Sequence, residues 1–238
     1  MTDKLNDISI YWINLARSNN RKKLMLKNFE TYQNNFRIEA VDGREIDKYL
    51  IALPENNKAS SYEIACTCSH LKAIYTAYIS MEQIAIISED DLDISQINEW
   101  PSNLDLNHII DLAPLDWEIL QLNTSNLQVV EDLYSNYVKN NNIISRWNNF
   151  SSTVIYLINR TGMEKIIEKH IKFSNSGLIF DFKFESNLVA DYLIYYDLIT
   201  YTVTKPLFNY YTIDSEIHPE HLTFQNKTRH LIKSLLKK

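Results

Sequence analysis

Glu89-Asp90-Asp91-Leu92-Asp93 places four carboxylates in five residues, directly behind the apolar run Ile84-Ala-Ile-Ile87. Charges so close together repel, and they are costly to take out of water unless a cation or solvent screens them. An all-oxygen cluster at the end of a buried strand suits a hard divalent ion, Mn²⁺ or Mg²⁺. In phosphate chemistry such an ion usually takes one or two carboxylates together with phosphate oxygens of the substrate. The plainer reading is a hydrated acidic loop, and the position behind a buried strand tips the balance toward the ion. Arg17 and Arg21 flank the loop after an earlier strand candidate. Their guanidinium groups suit phosphate, or the base and ribose edge of a nucleotide. The alternative is a pair of hydrated basic residues entering a helix.

The rest of the chain narrows the classes. It has 238 residues, 45% of them hydrophobic and 23% charged, which is the composition of an ordinary globular protein of one domain or a domain plus a small appendage. The only glycines are Gly43, Gly162 and Gly177, so neither a glycine-rich phosphate loop nor G-x-G-x-x-G is present. A net charge of −6 argues against a general nucleic-acid binder. Cys66 and Cys68 are too close for an ordinary disulfide and supply only half of a structural zinc site. No leader and no long apolar run are visible, so the expected location is the cytoplasm or the surface of a membrane. The sequons at Asn123, Asn149, Asn159 and Asn226 read as chance in an asparagine-rich chain.

The elements that must position these groups follow from hydrophobic spacing. Residues 8–15 form a β-branched and aromatic strand, the basic segment 17–23 opens a helix, and residues 36–41 form a second strand, closed by Asp42-Gly43 with glycine supplying a positive φ. Residues 44–60 look irregular. A helix of about five turns starts near Ser61 and ends near Met81. Strands are expected over residues 83–88, 117–122 and 152–158, with Asn159-Arg-Thr-Gly162 opening a helix to His170. Strands alternating with helices predict an α/β fold, with a mixed, mostly parallel sheet covered on both faces. Ligands bind such sheets beyond the carboxyl ends of their strands, where the acid cluster lies.

Tyr11-Trp-Ile-Asn-Leu15 with Arg17 and Arg21, then Ala40-Val-Asp-Gly43, Glu63-Ile-Ala-Cys-Thr-Cys-Ser-His70 and Ile86-Ile-Ser-Glu-Asp-Asp91 resemble, in order, the motif series of glycosyltransferase family 25. Ser152-Thr-Val-Ile-Tyr-Leu-Ile-Asn-Arg160 with Gly162 resembles the family's later strand-helix block. Ala65 stands where the family usually has glycine, and Ser88 where it has an aliphatic residue. The family includes enzymes of bacterial lipooligosaccharide synthesis and of collagen galactosylation. The resemblance implies a GT-A-like nucleotide-sugar-binding fold and inverting transfer of a hexose, galactose foremost, from a UDP-sugar to a glycan, lipid-linked or protein hydroxyl acceptor. The alternative is a non-catalytic relative that binds a glycan or a partner.

The resemblance also implies roles. Glu89 and Asp91 hold the metal, although spacing alone leaves Asp91 with Asp93 open, and GT-A enzymes often add a ligand from near the C-terminus, for which His218 and His221 are available; His218 is the candidate, and a surface histidine beside a proline turn is the alternative. Asn14, Leu15, Arg17, Arg21, Asp42, His70 and Asp90 are expected around the nucleotide sugar. Inversion needs a base on the acceptor hydroxyl; of Asp181, Glu185 and Asp191, the last is the candidate, ahead of an aromatic group of Tyr192, Tyr195 and Tyr196 that lines either sugar faces or the core. The domain is expected over residues 1–226. Residues 227–238 form a basic amphipathic tail, either peripheral on an anionic membrane or docked on the domain with its lysines in water.

Overall fold

Strand β1 (Ile10–Asn14) shows how the central sheet divides its side chains. Ile10 and Trp12 enter one hydrophobic cluster and Tyr11 and Ile13 another, on opposite faces, as the two-residue repeat of extended chain requires. The structure, a computed structural model, describes residues 3–5, 7–212 and 222–236. After β1 come α1 (Asn19–Asn28), β2 (Asn35–Glu39), a 3₁₀ segment (Gly43–Lys48), β3 (Leu50–Ala52), α2 (Ser61–Ile79), β4 (Ile84–Glu89) and β5 (Leu92–Asp93). The middle of the chain supplies α3 (Leu106–Leu112), β6 (Ile119–Gln121), α4 (Leu127–Asn140), β7 (Ile144–Arg146), β8 (Ile155–Asn159) and α5 (Arg160–His170). Then follow β9 (Ile171–Ser174), β10 (Gly177–Asp181), α6 (Ala190–Tyr195), β11 (Thr200–Val203), β12 (Asn209–Tyr210) and α7 (Leu222–Leu235).

The seven-stranded sheet has the order β2-β1-β4-β8-β6-β11-β7. β2, β1 and β4 run parallel, as do β6 and β11, while β8 and β7 run against their neighbours. The mostly parallel α/β sheet expected from the sequence, of GT-A-like type, is the one found. Side chains of α2, α5 and α6 cover one face, and those of α1, α3, α4 and α7 cover the other.

The antiparallel entry of β8 matters most. Its register pairs Ser88 with Ile155, so the residues just ahead of β8 arrive beside the acidic end of β4. Long helix α2 is fixed at its start by a reciprocal cap: the Glu63 N–H donates to Ser60 Oγ at 3.2 Å, and the Ser60 N–H donates to Glu63 Oε2 at 2.7 Å.

Two local expectations are corrected. Gly43 does not have a positive φ; among the described glycines only Gly177 does. A Cβ on Gly43 would lie 2.8 Å from Tyr62 Cδ1 and 2.9 Å from Tyr62 Cα, so close approach to α2 demands the glycine. The irregular stretch 44–60 contains β3, whose parallel partner β10 is remote in sequence and leaves no local signal. Helix α7 starts at Leu222, and Ile232, Leu235 and Leu236 are buried in the main core. Of the two readings of the tail, docking describes this helix: its apolar residues face α4 and β12 while Lys227 and Lys233 are exposed.

Candidate functional site

Asn14, the last residue of β1, is buried and has every polar atom engaged. Its Nδ2 donates to Asp90 Oδ2 at 2.6 Å and to the Ser18 carbonyl at 3.3 Å. Arg37, on neighbouring β2, donates from Nε to Asn14 Oδ1 at 2.9 Å and from Nη2 to the Asn14 carbonyl at 3.3 Å. The sheet edge therefore fixes Asp90 through one amide. From α1, Arg21 reaches back so that Nη2 lies 2.5 Å from Asp90 Oδ1 and 3.4 Å from Asp91 Oδ2. Arg17 pairs with Asp42, which also accepts the Arg44 N–H at 2.9 Å and so caps the 3₁₀ segment.

These groups border a cleft of about 730 Å³ beyond the carboxyl ends of β1 and β4. Leu15, Arg17, Arg21, Glu89, Asp90 and Asp91 contribute to its wall, as does Asp191, at the start of α6. Asn14 and Asp42 lie just behind the wall and hold Asp90 and Arg17. His70, from α2, borders the cleft from behind Glu89 and is fully buried. Asp93 takes the Ser95 N–H at 2.9 Å and is not part of the wall. His218 and His221 lie outside the described residues.

The structure brings Asp191 to Glu89 through a residue that the sequence did not single out. Thr153 Oγ1 is 2.7 Å from Glu89 Oε1 and 3.2 Å from Asp191 Oδ1, so its single hydroxyl proton serves one carboxylate at a time. A lone threonine carries no signal of its own; knowing that β8 runs antiparallel to β4 would have placed it. Arg37 and the C-terminal part of the wall, Tyr210, Phe224 and Gln225, were also not foreseen. The last three are delivered by β12, which pairs with β5 immediately after the acid cluster, and by α7.

Asp181 and Glu185, the other base candidates, are not in the cleft wall. Glu185 and Asp197 gather with His170, their ligand atoms within 4.8 Å of one another, and the Lys169 ammonium already bonds both carboxylates. Tyr195 is core, its hydroxyl donating to the Ser152 carbonyl at 2.8 Å, whereas Tyr192 and Tyr196 stack at 4.4 Å near the surface.

Burial and crowding set the charge state of the cleft. Asp91 is pushed up to about 8, by burial first and by Glu89 second, with Arg21 opposing. Burial also raises Asp90 against the pull of Arg21 and Asn14. Burial acts to raise Glu89 too, but the His70 ring, the Thr153 hydroxyl and Arg21 outweigh it and hold Glu89 below its ordinary value. Asp191 is pushed up to about 6 by burial and by Glu89. Burial raises the Cys66 thiol well above its usual range, so it offers no thiolate nucleophile.

Asp91 Oδ1 is buried and has no hydrogen-bond partner. An orphaned carboxylate oxygen among further carboxylates is a donor set that fits a hard divalent ion.

The family model described as glycosyltransferase family 25 (LPS biosynthesis protein) matches residues 7–182, a span that contains both arginines, the acid cluster and Thr153. No curated protein matches the chain. With the acid cluster at the end of β4, the arginine-bordered cleft and a family match over most of its length, the chain belongs to glycosyltransferase family 25 and is a glycosyltransferase.

Proposed function

We propose that this enzyme moves a hexose, galactose foremost, from a UDP-sugar to an acceptor hydroxyl with inversion, and that it uses Mn²⁺ or Mg²⁺. The observation that carries the reading is the unpartnered Asp91 Oδ1 in a cleft that also holds Glu89, Arg17 and Arg21. Glu89 and Asp91 are the residues that would hold the ion, with His218 as a further ligand. When bound, the ion supplies positive charge to a diphosphate leaving group.

The chain's own groups do the rest. Arg17 and Arg21 bind phosphate oxygens, each already oriented by a carboxylate, Asp42 or Asp90. Leu15 and the backbone at the end of β1 meet the nucleoside, while Asn14 and Asp42 fix the residues that touch it. Asp191 takes the proton of the acceptor hydroxyl as its oxygen bonds to the anomeric carbon and the bond from that carbon to the diphosphate breaks. The elevated Asp191 carboxyl suits a base working near neutrality. The family's description as an LPS biosynthesis protein makes a lipid-linked oligosaccharide the first acceptor class to screen, ahead of other glycans and protein hydroxyls.

The test is isothermal titration with UDP in Mn²⁺ and then in EDTA, repeated with Asp91→Ala. The expected result is metal-dependent binding that the variant loses. Absence of UDP binding by the parent protein in Mn²⁺ overturns the donor assignment.

A further inference from the structure

His70 is wholly buried on α2, and each of its ring nitrogens faces a polar group. Nδ1 lies 3.2 Å from the Tyr156 hydroxyl, and Nε2 faces Glu89 Oε1 at 3.6 Å with no hydrogen-bond partner of its own. Tyr156 is also fully buried on β8 and is wedged edge-on against Tyr195, with ring centroids 5.6 Å apart. Among the described residues, His70 Nδ1 is the one hydrogen-bond partner of the Tyr156 hydroxyl.

Those contacts select a tautomer. A buried hydroxyl with one partner donates to it, because a buried proton left undonated bears the full desolvation cost. Nδ1 therefore accepts, and the ring proton sits on Nε2, pointing at the carboxylate. The other tautomer would set a nitrogen lone pair against an acceptor-only group. Glu89 Oε1 thus receives Thr153 at 2.7 Å and faces the His70 N–H, whereas Oε2 has no hydrogen bond among the described residues.

We infer that His70, with its tautomer set by Tyr156, is a positioning residue that pins Glu89 Oε1 from behind and turns Oε2 into the cleft. This rests on the reading of Glu89 as an ion-holding carboxylate. It also gives His70 a different place from the nucleotide contact that the family resemblance implies: the ring acts through Glu89 and does not touch the donor. Apo hydrogen bonds at working sites are often long, and a movement of a few tenths of an ångström closes the 3.6 Å separation into a bond.

Two measurements test the inference. Long-range ¹⁵N–¹H NMR on histidine-labelled protein reads the His70 tautomer without any ligand. The expected result is a protonated Nε2 and an accepting Nδ1 whose ¹⁵N shift moves in Tyr156→Phe as its hydrogen bond is lost, and a bare Nε2 in the parent protein overturns the proposal outright. Titration with MnCl₂ in the presence of UDP then reads the consequence. His70→Ala is expected to weaken Mn²⁺ binding about 10- to 100-fold, the usual effect of removing the group that orients a ligand. His70→Gln, whose amide keeps a donor at similar reach, is expected to recover most of that loss.

Melting temperatures of all three variants separate this from packing. Variants that melt lower but bind Mn²⁺ like the parent would make His70 merely structural and overturn the inference. If the parent itself takes up no Mn²⁺ with UDP, the donor reading and the ion-orienting consequence fall together, while the tautomer measurement separately decides whether His70 is coupled to Glu89.

Discussion

Arg21 closes on Asp90, with Nη2 2.5 Å from Oδ1, so the positive charge nearest the acid cluster is supplied by the chain itself. The same guanidinium lies 3.4 Å from Asp91. It therefore partly offsets the repulsion among Glu89, Asp90 and Asp91 while remaining on the cleft wall. Arg21→Ala is expected to destabilise the fold by about 1–3 kcal/mol, the usual range when a buried acceptor loses a charged partner. Because the cluster then has less cation of its own, Mn²⁺ is expected to raise Tm more in the variant than in the parent. Thermal shift with and without MnCl₂ checks both, and an equal Mn²⁺ shift would mean that Arg21 and the ion do not share the cluster.

Asp91 carries the clearest pH signature. Its carboxyl is raised from the ordinary 3.8 to about 8, so the native state binds its proton more tightly than the unfolded chain does. The resulting destabilisation is absent below the unfolded value, grows as pH rises and is complete above the folded value. Asp91→Asn is therefore expected to match the parent near pH 4 and to exceed it in Tm by a margin that widens toward pH 8. Scanning calorimetry across that range checks the sign; a margin that shrinks with rising pH would contradict it.

Asn14 orients Asp90 as a neutral donor. Asn14→Asp replaces that donor with a second acceptor 2.6 Å from a carboxylate oxygen and is expected to cost more stability than Asn14→Ala. Urea unfolding of the two variants ranks them. An aspartate variant as stable as the alanine one would show that the amide's proton is not what holds Asp90.

Asp191→Asn is expected to lower turnover by about 10²- to 10⁴-fold, the range for loss of a general base, and to leave UDP affinity unchanged. In the parent, the acid limb of the turnover profile should fall as pH drops through about 6, where Asp191 takes up its proton. A variant that keeps both the turnover and this limb would remove Asp191 from the chemistry.

Parts of this architecture are readable along the chain because their causes are local. β4 and its acid cluster adjoin, the cap at Ser60 and Glu63 spans a single turn, and Asn159 caps α5 by accepting the Gly162 N–H at 2.9 Å. These features use neighbours in sequence, so residue spacing reveals them. Thr153 belongs to the other class, since its role exists only once β8 has been laid antiparallel to β4. β3 likewise depends on β10, and Gly43 on a helix whose approach no turn rule encodes. The amphipathic spacing of α7 was plain, but which surface it meets is set by α4 and β12.

The pairing of β5 with β12 orders events during synthesis. When Glu89, Asp90 and Asp91 emerge from a ribosome, Asn14 and Arg21 already exist, but Asn209 and Tyr210 do not. Until that late strand arrives, the Tyr211 N–H is missing from the Asp91 carbonyl, which it meets at 2.7 Å in the finished fold, and Tyr210 has not joined the cleft wall. The acids spend that interval in water, where their mutual repulsion is screened. Desolvation is thus postponed until the C-terminal elements dock, and a nascent chain stalled before Asn209 would display a hydrated acidic loop in place of the finished cleft wall.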